Sequence, residues 1–399
     1  MTNTATQVQA LLQAMRKIGT SKGDARGLPN AAYQDESLYK LERDNVVGGS
    51  WAAIAYRSTL SGPGYAVPVE LMGVPLLIVM DRSEELRVFH NVCSHRGTQL
   101  VSESTKLRAS IRCPYHSWAY DFNGDLLSTP HIGGMNKHSC TGFDKQQHGL
   151  KPVRFAVWMD IIFVNLSGDA DSFEDYIAPL KARWSELLGC KSEHQLGPAT
   201  TGSNLKLRIA CNWKLAVENY CEAYHLPWVH PELNSYSPLD QHFNIVDGDG
   251  MSGQGTNVYE LASMVEPRLP LIDGWPADKV RNAEYVSLYP NILLGLQADH
   301  FFSVIVLPKG THDCVEELQI SYVGDARSDD AFAPARSAVL DSWAKVFKED
   351  IFAVEGMQAG RNSPEFDGGV LTPIQDIPTR HFHNWVAKRY CSELEKNTK

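Results

Sequence analysis

Apolar residues alternate or form short runs between residues 45 and 165, and this pattern predicts β-strands separated by turns. Asn123-Gly124 is a strong hairpin signal within this region. The predicted strands lie in "PLLIVMD", "LRVFHNV", "SIRCPYH", "WAYDFNGDL" and "DIIFVNL". We therefore expect a small all-β domain over residues 45–165.

Helical spacing of apolar residues begins in "SFEDYIAPLKARWSELLG" and predicts a second domain over residues 166–399. Two segments, "YVSLYPNILLGLQADHFFSVIVLP" and "VEELQISYVGD", predict long strands joined by a turn at Lys309-Gly310. Residues 331–360 then follow a helical pattern. Strands followed by helices, without β-α-β alternation, predict an α+β fold class.

The N-terminal segment also has helical periodicity. Its apolar residues recur at helical intervals and predict an amphipathic helix, and we assign residues 1–44 to the second domain. These residues are Val8, Leu11, Leu12, Met15 and Ile18. The longest apolar stretch falls short of the ~20 residues that a membrane span requires, because Gln297, Asp299 and His300 interrupt it. We expect no membrane association.

Composition and charge narrow the class of protein. The chain has 399 residues, of which 43% are hydrophobic and 21% charged, as in ordinary globular proteins. A net charge of -10, without clustered Lys or Arg, argues against a nucleic-acid partner. The cysteines are too scattered for a disulfide framework, so we expect a reducing compartment, the cytoplasm. They are Cys93, Cys113, Cys140, Cys190, Cys211, Cys221, Cys314 and Cys391.

The first candidate site lies in "NVCSHRGTQLV" and "IRCPYHSWAYDFNGDL". These segments supply Cys93 with His95, and Cys113 with His116, at the ends of predicted strands. A structural zinc ion could take all four ligands, although zinc sites more often pair cysteine with cysteine and histidine with histidine. A Rieske [2Fe–2S] cluster needs two Cys on one iron and two His on the other, and each loop provides one of each. The spacing favours the Rieske cluster, and zinc or unligated core residues are the alternatives.

The second candidate site lies in "ENYCEAYHLPWVHPEL", residues 218–233. The pattern predicts a helix from Trp213 through Tyr224 that stops near Pro227, because the proline ring cannot continue it. On that helix Glu218, Glu222 and His225 would share one face.

A chain reversal after the predicted helix would bring His230 close to His225. Two histidines and one carboxylate are the ligands of non-haem Fe(II) oxygenases. The carboxylate is expected from "WAKVFKEDIFAVEGMQAG", where we choose Asp350 over Glu349 and Glu355. Activation of O₂ at such an iron needs external electrons, which a Rieske cluster can deliver singly, so the two sites together predict a terminal oxygenase.

These motifs resemble those of the oxygenase (α) subunits of Rieske non-haem iron oxygenases. The similar segments are "CSHRGTQLV" and "CPYHSWAYDFNGDL", "NWKLAVENYCEAYHLPWVHPEL", and "EDIFAVEGMQAG". The resemblance implies a small all-β Rieske domain and a larger catalytic domain with an antiparallel sheet flanked by helices, of the helix-grip type. It also implies a [2Fe–2S] cluster and a mononuclear Fe(II) supplied with NAD(P)H electrons by a separate flavin and iron–sulfur reductase.

The resemblance assigns roles to individual residues. Cys93 and Cys113 would bind one cluster iron, and His95 and His116 the other. The mononuclear iron would be bound by His225, His230 and Asp350. The resemblance further implies a head-to-tail homotrimer in which Glu222 carries electrons from the cluster of one subunit to the iron of the next. Many members have Asp at that position, and Glu is similar to the branch that oxidises quaternary ammonium compounds such as carnitine and glycine betaine.

A quaternary ammonium substrate is best recognised by aromatic faces. We expect Trp228, Tyr289 and Phe301, together with Phe302, to contribute to its pocket. Hydroxylation next to the nitrogen would give a hemiaminal that collapses with cleavage of the C–N bond. An aromatic substrate, which would give a cis-diol or a phenol, is the first alternative. A Rieske electron carrier or a zinc-stabilised binding protein is the second, although neither would need the second ligand set.

Overall fold

The computed structural model describes residues 5–18, 25–189, 192–260 and 265–396. They form two compact units: the smaller spans Ile54–Gly168, and the larger combines Met1–Ala53 with Asp169–Lys399. The N-terminal segment is thus grouped with the C-terminal part of the chain. The smaller unit begins at residue 54 and ends at 168, whereas the sequence predicts 45 and 165.

The larger unit begins with short helices and one short strand. Helix α1 (Ala5–Lys17) buries Leu12 and Met15, and Ile18 is buried directly after it, as the amphipathic pattern predicts, while Met1–Thr4 and residues 19–24 lie outside the described chain. The elements are α1 (Ala5–Lys17), β1 (Ala25–Arg26), α2 (Ala31–Gln34), α3 (Glu36–Leu41) and a π-helical segment (Glu42–Val47).

The smaller unit is built from three antiparallel sheets, with strand orders β10-β11-β2, β5-β4-β3-β6 and β7-β8-β9. Its strands are β2 (Ala52–Tyr56), β3 (Tyr65–Leu71), β4 (Val74–Met80), β5 (Leu86–His90), β6 (Thr105–Lys106), β7 (Ile111–Arg112), β8 (Ala119–Tyr120), β9 (Leu126–Ser128), β10 (Arg154–Trp158) and β11 (Ile161–Asn165). Short 3₁₀ turns lie at Arg57–Thr59 and Lys145–His148. The predicted all-β character is confirmed, since no α-helix occurs among the residues of this unit, all of which are described.

The core of the smaller unit contains the two cysteines of the first candidate site. Cys93 and Cys113 are buried together with Phe89, Trp118 and Tyr120. Both lie just after a strand end, where the backbone turns away from the sheet. The apolar packing therefore fixes the two thiol groups near each other.

The rest of the larger unit holds the long strands and helices. The helices are α4 (Phe173–Trp184), α5 (Trp213–Cys221), α6 (Leu226–Val229), α7 (Pro231–Tyr236), α8 (Ala333–Gly360) and α9 (Ile377–Lys396). The strands are β12 (Leu196–Pro198), β13 (Asn204–Ile209), β14 (His242–Val246), β15 (Met251–Thr256), β16 (Ala283–Leu288), β17 (Ile292–Leu296), β18 (His300–Gly310), β19 (Asp313–Val323) and β20 (Val370–Leu371). Further 3₁₀ turns lie at Ser192–Gln195, Leu239–Gln241, Ala277–Lys279, Gly324–Arg327 and Asp330–Phe332.

An eight-stranded antiparallel sheet organises this unit, with the order β12-β19-β18-β17-β16-β15-β14 and with β13 also paired to β19. Helix α5 packs on strands β15, β16 and β18 and contacts helices α8 and α9. The sheet and these helices confirm the predicted α+β class. Helix α8, which carries Asp350, and helix α5, which precedes His225 and His230 in the sequence, therefore both pack on this sheet.

The structure corrects two details of the predicted strands. The segment over residues 285–308 is not one strand but parts of three, β16 to β18, because Tyr289-Pro290-Asn291 and Gln297-Ala298-Asp299 turn the chain. The hairpin turn after it lies at Thr311-His312 instead of Lys309-Gly310, since Gly310 still pairs with Asp313. Apolar runs alone do not reveal such turns when both sides of each strand are buried.

Two further expectations concern disulfides and membranes. Every cysteine that the structure describes is a free thiol, and Cys190 lies outside the described residues. Within the described ranges, the helices are too short or too polar for any of them to cross a bilayer.

Candidate metal centres

The second candidate site begins where helix α5 ends. Asn212 starts this helix by accepting a hydrogen bond from the Lys214 N–H over 3.1 Å. The helix stops at Cys221, because Glu222 adopts an extended conformation with φ -124° and ψ 161°. The predicted helix end near Pro227 is wrong: Pro227 lies in the first turn of the next helix, α6, where a proline is readily accommodated.

The early helix end separates residues that the sequence places on one face. Glu218 is buried on the far side, where it accepts a hydrogen bond from the Tyr33 hydroxyl and lies 3.8 Å from Arg361. The Glu222 carboxylate instead accepts the backbone N–H groups of Tyr224 and His225. Glu222 therefore holds the bend that presents His225, and Glu218 has a structural environment of its own.

His225, His230 and Asp350 come together in space. One ligand atom from each of the three lies within 4.8 Å of the others. The Asp350 Oδ1 atom is 3.0 Å from His230 Nε2 and 3.7 Å from His225 Nε2. Asp350 lies on α8, far from the histidines in sequence. Two imidazole nitrogens and a carboxylate oxygen converging in this way fit a mononuclear Fe(II).

The opposite nitrogen of each imidazole is held by a second carboxylate. His225 Nδ1 is 2.6 Å from Glu222 Oε1, and His230 Nδ1 is 2.9 Å from Glu349 Oε2. Such outer carboxylates fix the tautomer and ring orientation of metal-binding histidines. The Glu349 carboxylate therefore contacts the outer nitrogen of His230 and is not one of the three converging ligand groups. Glu355, further along α8, accepts the Ala210 N–H over 3.0 Å.

The carboxylates also set the charge of the site. Burial disfavours the charged form of His225, but Glu222 and Asp350 outweigh it and raise the pKa of His225 above its ordinary value. A site with this much negative charge around two imidazoles favours a bound cation. The chemistry of the donor groups therefore agrees with a divalent metal.

A cavity opens on these three residues. Its aromatic wall consists of Tyr220, Tyr285, Trp343 and Phe347. On the polar side, His242 contacts the side chain of Gln254 and lies 2.9 Å from Ser237 Oγ, and burial lowers the pKa of His242. This combination suits a small ligand with an apolar or cationic part and a polar part.

The aromatic residues that the sequence proposes for the pocket lie elsewhere. Trp228 is 70% exposed on the surface, beside Tyr224. Tyr289 is buried against α9, and Phe301 is buried against Trp184. The structure therefore places none of these three among the residues that line the cavity, and the same holds for Phe302.

A sequence signal for part of the wall does exist. Trp343, Phe347 and Asp350 are spaced i, i+4 and i+7 on α8, so they share one face of that helix. An aromatic stripe ending at the candidate ligand could have identified these wall residues. Tyr220 and Tyr285 become neighbours only through the packing of α5 on the sheet.

The first candidate site is formed by two loops with the same backbone hydrogen bonds. In one loop the Cys93 N–H donates to the Thr98 carbonyl and the Gly97 N–H donates to the Cys93 carbonyl. In the other loop Cys113 pairs with Trp118 and Ser117 in the same way. The fourth residue after each cysteine has positive φ, 73° at Gly97 and 60° at Ser117.

These loops bring the four candidate ligands together. The rings of His95 and His116 are 4.7 Å apart between centroids, and His95 stacks on Trp118 at the same distance. Burial and the neighbouring Cys93 thiol raise the pKa of Cys113, against an opposing effect of the backbone N–H groups of Tyr115 and His116. Two thiols held this close fit a shared metal group.

One atom gives a further test of fit for an iron–sulfur cluster. The Nδ1 atom of His116 is buried and has no hydrogen-bond partner. A buried polar atom without a partner is costly, whereas ligation of a metal would satisfy it. The two thiols, this nitrogen and the adjacent His95 ring match the ligand set of a Rieske cluster.

Comparison with known protein families agrees with both sites. Residues 50–139 match the Rieske [2Fe-2S] domain family, and residues 197–392 match the ring hydroxylating alpha subunit (catalytic domain) family. The chain is 30% identical to the glycine betaine monooxygenase oxygenase subunit of Pseudomonas aeruginosa, with 94% of this chain and 91% of that protein covered. It is 27% identical to the carnitine monooxygenase oxygenase subunit of Escherichia coli, with coverage of 92% and 94%.

A solved structure shows the same fold. The quaternary ammonium Rieske monooxygenase CntA superposes with a TM-score of 0.75 at 20% identity, over 94% of this chain and 98% of that one. The relatives and the two family matches together cover nearly all of the chain, including both candidate sites. The chain belongs to the Rieske non-haem iron oxygenases, as an oxygenase alpha subunit whose cofactors are a [2Fe–2S] cluster and a mononuclear iron.

Proposed function

We propose that this oxygenase hydroxylates a quaternary ammonium compound with O₂ and electrons that a separate reductase takes from NAD(P)H. The observation that carries the proposal is the cavity in which His225, His230 and Asp350 open on four aromatic side chains. Aromatic faces attract a quaternary ammonium group, which cannot donate hydrogen bonds. Relatives named for carnitine and glycine betaine support the same substrate class.

Seven residues hold the cofactors in this proposal. Cys93 and Cys113 bind one iron of the cluster, His95 and His116 bind the other, and His225, His230 and Asp350 bind the mononuclear iron. When bound, the mononuclear iron supplies O₂ activation and the cluster supplies single electrons. Glu222 and Glu349 keep the Nε2 atoms of His225 and His230 facing the metal by holding their Nδ1 atoms.

The cavity residues position the substrate. Tyr220, Tyr285, Trp343 and Phe347 surround the ammonium group, and burial of the wall excludes water from it. The polar end of the substrate lies toward His242 and Gln254. Burial lowers the pKa of His242, which favours its neutral form, and its ring nitrogens contact Gln254 and Ser237.

We further propose that the enzyme works as a cytoplasmic homotrimer. Glu222 touches the outer nitrogen of His225, which is where an electron from another subunit would arrive. The cluster of one subunit would then reduce the iron of its neighbour through Glu222. In this role the Glu222 carboxylate acts only as a hydrogen-bonded connection and is not itself changed covalently.

The product follows from the position of hydroxylation. A hydroxyl group placed on a carbon attached to the ammonium nitrogen gives a hemiaminal. Its O–H proton leaves, the C=O bond forms, and the C–N bond pair goes to nitrogen as a tertiary amine departs. Overall, one O₂, two electrons and two protons are consumed, and one tertiary amine, one aldehyde, one water and the proton released from the hydroxyl group are formed. Hydroxylation of an N-methyl group would release formaldehyde.

The test is a substrate screen with the reconstituted oxygenase, NADH and a surrogate reductase. Carnitine, glycine betaine and choline are compared with aromatic acids by O₂ uptake and product analysis. We expect formaldehyde or another aldehyde in proportion to O₂ only with the quaternary amines. A cis-diol or phenol from the aromatic acids, without turnover of the amines, would overturn the proposal in favour of aromatic hydroxylation.

A further inference from the structure

A buried histidine, His300, is paired with the partly exposed Asp299 next to the cavity, and the pair is not part of the metal site. Asp299 ends the turn between β17 and β18, and His300 is the first residue of β18. Both interrupt an otherwise apolar segment of the sequence. His300 is 0% exposed, and burying an imidazole beside a carboxylate is costly unless their hydrogen bonds are satisfied.

The hydrogen bonds of this pair lead to Trp343. The Trp343 Nε1–H group lies 2.9 Å from His300 Nε2, and His300 Nδ1 lies 2.6 Å from Asp299 Oδ1. An indole nitrogen can only donate, so His300 Nε2 must accept and His300 Nδ1 must carry the proton that it donates to Asp299. The donor direction of the two hydrogen bonds is therefore fixed: Trp343 donates to His300, and His300 donates to the Asp299 carboxylate.

Trp343 belongs to the wall of the cavity. It is 4% exposed, its ring centroid lies 4.3 Å from that of Phe302, and it stacks on Tyr259 with an interplanar angle of 9°. Asp350 lies seven positions after Trp343 on the same face of α8, about 10 Å along a helix. Both residues line the cavity, so a cation bound in it within about 6 Å of the indole would share the cavity with the metal-facing carboxylate.

We propose that Asp299 and His300 are positioning residues that fix the Trp343 indole as the main ammonium-binding face of the pocket. This inference rests on the proposed function and deepens it, because it names the specificity determinant for the positive charge. The hydrogen bond to His300 fixes the orientation of the Trp343 ring. The Asp299 carboxylate polarises the two linked hydrogen bonds, so that electron density on the indole increases. An electron-rich indole attracts a cation more strongly than the other rings of the wall.

Packing alone does not account for this arrangement. A phenylalanine at position 343 could fill an apolar wall without any polar partner. The tryptophan instead brings an N–H group that must be satisfied when buried, and the fold supplies both an imidazole and a carboxylate for it. Two buried polar groups linked to a partly exposed carboxylate are explained by a requirement on the orientation and electron density of the Trp343 ring.

The experiment measures how much more tightly the enzyme binds a charged ligand than an uncharged ligand of the same shape. Choline and its uncharged carbon isostere 3,3-dimethylbutan-1-ol are titrated into the cluster-loaded, iron-loaded enzyme by calorimetry. The wild type is expected to bind choline roughly 10-fold more tightly than the isostere, within the range of a desolvated cation–π contact. Trp343→Phe is expected to lose most of this ratio, and Asp299→Asn to reduce it roughly 3-fold while retaining a hydrogen bond to His300.

Matched controls separate this role from a structural one. Trp385→Phe removes a buried indole on α9, outside the cavity, and Asp341→Asn removes an exposed carboxylate on α8. Both should keep the wild-type ratio. The absorption spectrum of the cluster and the thermal midpoint report whether each variant is folded, and the conservative Asp299→Asn change keeps the test valid if Trp343→Phe is unstable.

The possible outcomes are distinct. An equal loss of affinity for choline and for the isostere in both Trp343→Phe and Asp299→Asn would show a packing role and overturn the inference, as would a wild type without preference for the cation. If choline is preferred and the preference depends on Asp299, but no quaternary amine is oxidised, the ammonium site stands and the proposed function fails.

Discussion

The two candidate metal sites of this oxygenase differ in which histidine nitrogens have hydrogen-bond partners. In the Rieske domain the Nδ1 atom of His116 is buried and has no hydrogen-bond partner. In the catalytic domain the Nδ1 atoms of His225 and His230 are held by carboxylates, and the Nε2 atoms face Asp350. The hydrogen bonds that a histidine already makes therefore indicate which of its nitrogens is left for the metal.

The comparison also separates two ways of building a site. Each Rieske loop is local: its cysteine and histidine lie within four residues, and the same two backbone hydrogen bonds close it. The mononuclear site is non-local, because its carboxylate comes from α8, more than a hundred residues after its histidines. The first site depends on thiols inside a core, and the second on a helix end and on helix packing.

The largest expected effect comes from removing a Rieske thiol. Cys113→Ser should abolish the visible absorption of the cluster and all reductase-dependent turnover, because one iron loses an anionic ligand. Cys140→Ser, at an exposed cysteine of the same domain, is the matched control and should leave both unchanged. Survival of the cluster spectrum in Cys113→Ser would contradict the ligand assignment.

The next largest effect concerns the electron route. Glu222→Gln and Glu349→Gln change equivalent carboxylates behind the two histidines of the mononuclear site. If Glu222 also carries electrons between subunits, Glu222→Gln should lose far more turnover per bound iron than Glu349→Gln. Single-turnover kinetics with the pre-reduced cluster measure this difference. Equal rates in the two variants would remove the bridging role.

A smaller effect is expected on metal affinity. Loss of an outer carboxylate typically lowers the affinity of a metal site by about 10- to 100-fold. We expect Glu349→Gln to fall in this range when Fe(II) is titrated in the presence of a chelator. Glu355→Gln is the control, because Glu355 accepts a backbone N–H and does not contact a histidine. An unchanged affinity in Glu349→Gln would show that His230 is oriented by packing alone.

The smallest effect concerns pH. Burial depresses the pKa of His242 below its ordinary value of about 6.5. A lowered pKa contributes stability that is present above about pH 6.5 and is lost as the pH falls through the pKa of the folded state. The lost free energy of unfolding is about 1.4 kcal/mol for each pH unit by which folding lowers the pKa. The thermal midpoint of the wild type should therefore fall more between about pH 7.5 and about pH 5.5 than that of His242→Asn. Parallel curves would contradict this account.

The sequence predicted the Rieske site more completely than the catalytic one. All four Rieske candidates come together because their spacing is local and closes each loop. The candidates His225, His230 and Asp350 also come together, but the helix before them ends at Cys221 and not near Pro227, because the Glu222 carboxylate binds the following backbone N–H groups. A side-chain cap of this kind has no distinct pattern in the sequence.

The sequence pattern does not indicate most of the residues that line the substrate pocket. Trp228, Tyr289 and Phe301 lie close in sequence to the iron motif or on the predicted sheet, yet the first is exposed and the other two are buried away from the cavity. Which face of a strand lines a cavity depends on register and on the helix that covers it. The stripe of Trp343, Phe347 and Asp350 on α8 is the part of the wall that helical spacing could have revealed.

The most direct test of the account is the iron content of the wild type and of His225→Ala, measured together with the cluster spectrum. Two sites with separate ligands predict about three irons per chain in the wild type, and about two in His225→Ala with an unchanged Rieske spectrum and no substrate oxidation. Continued product formation by His225→Ala, or about two irons per chain in the wild type, would contradict the assignment of the mononuclear site.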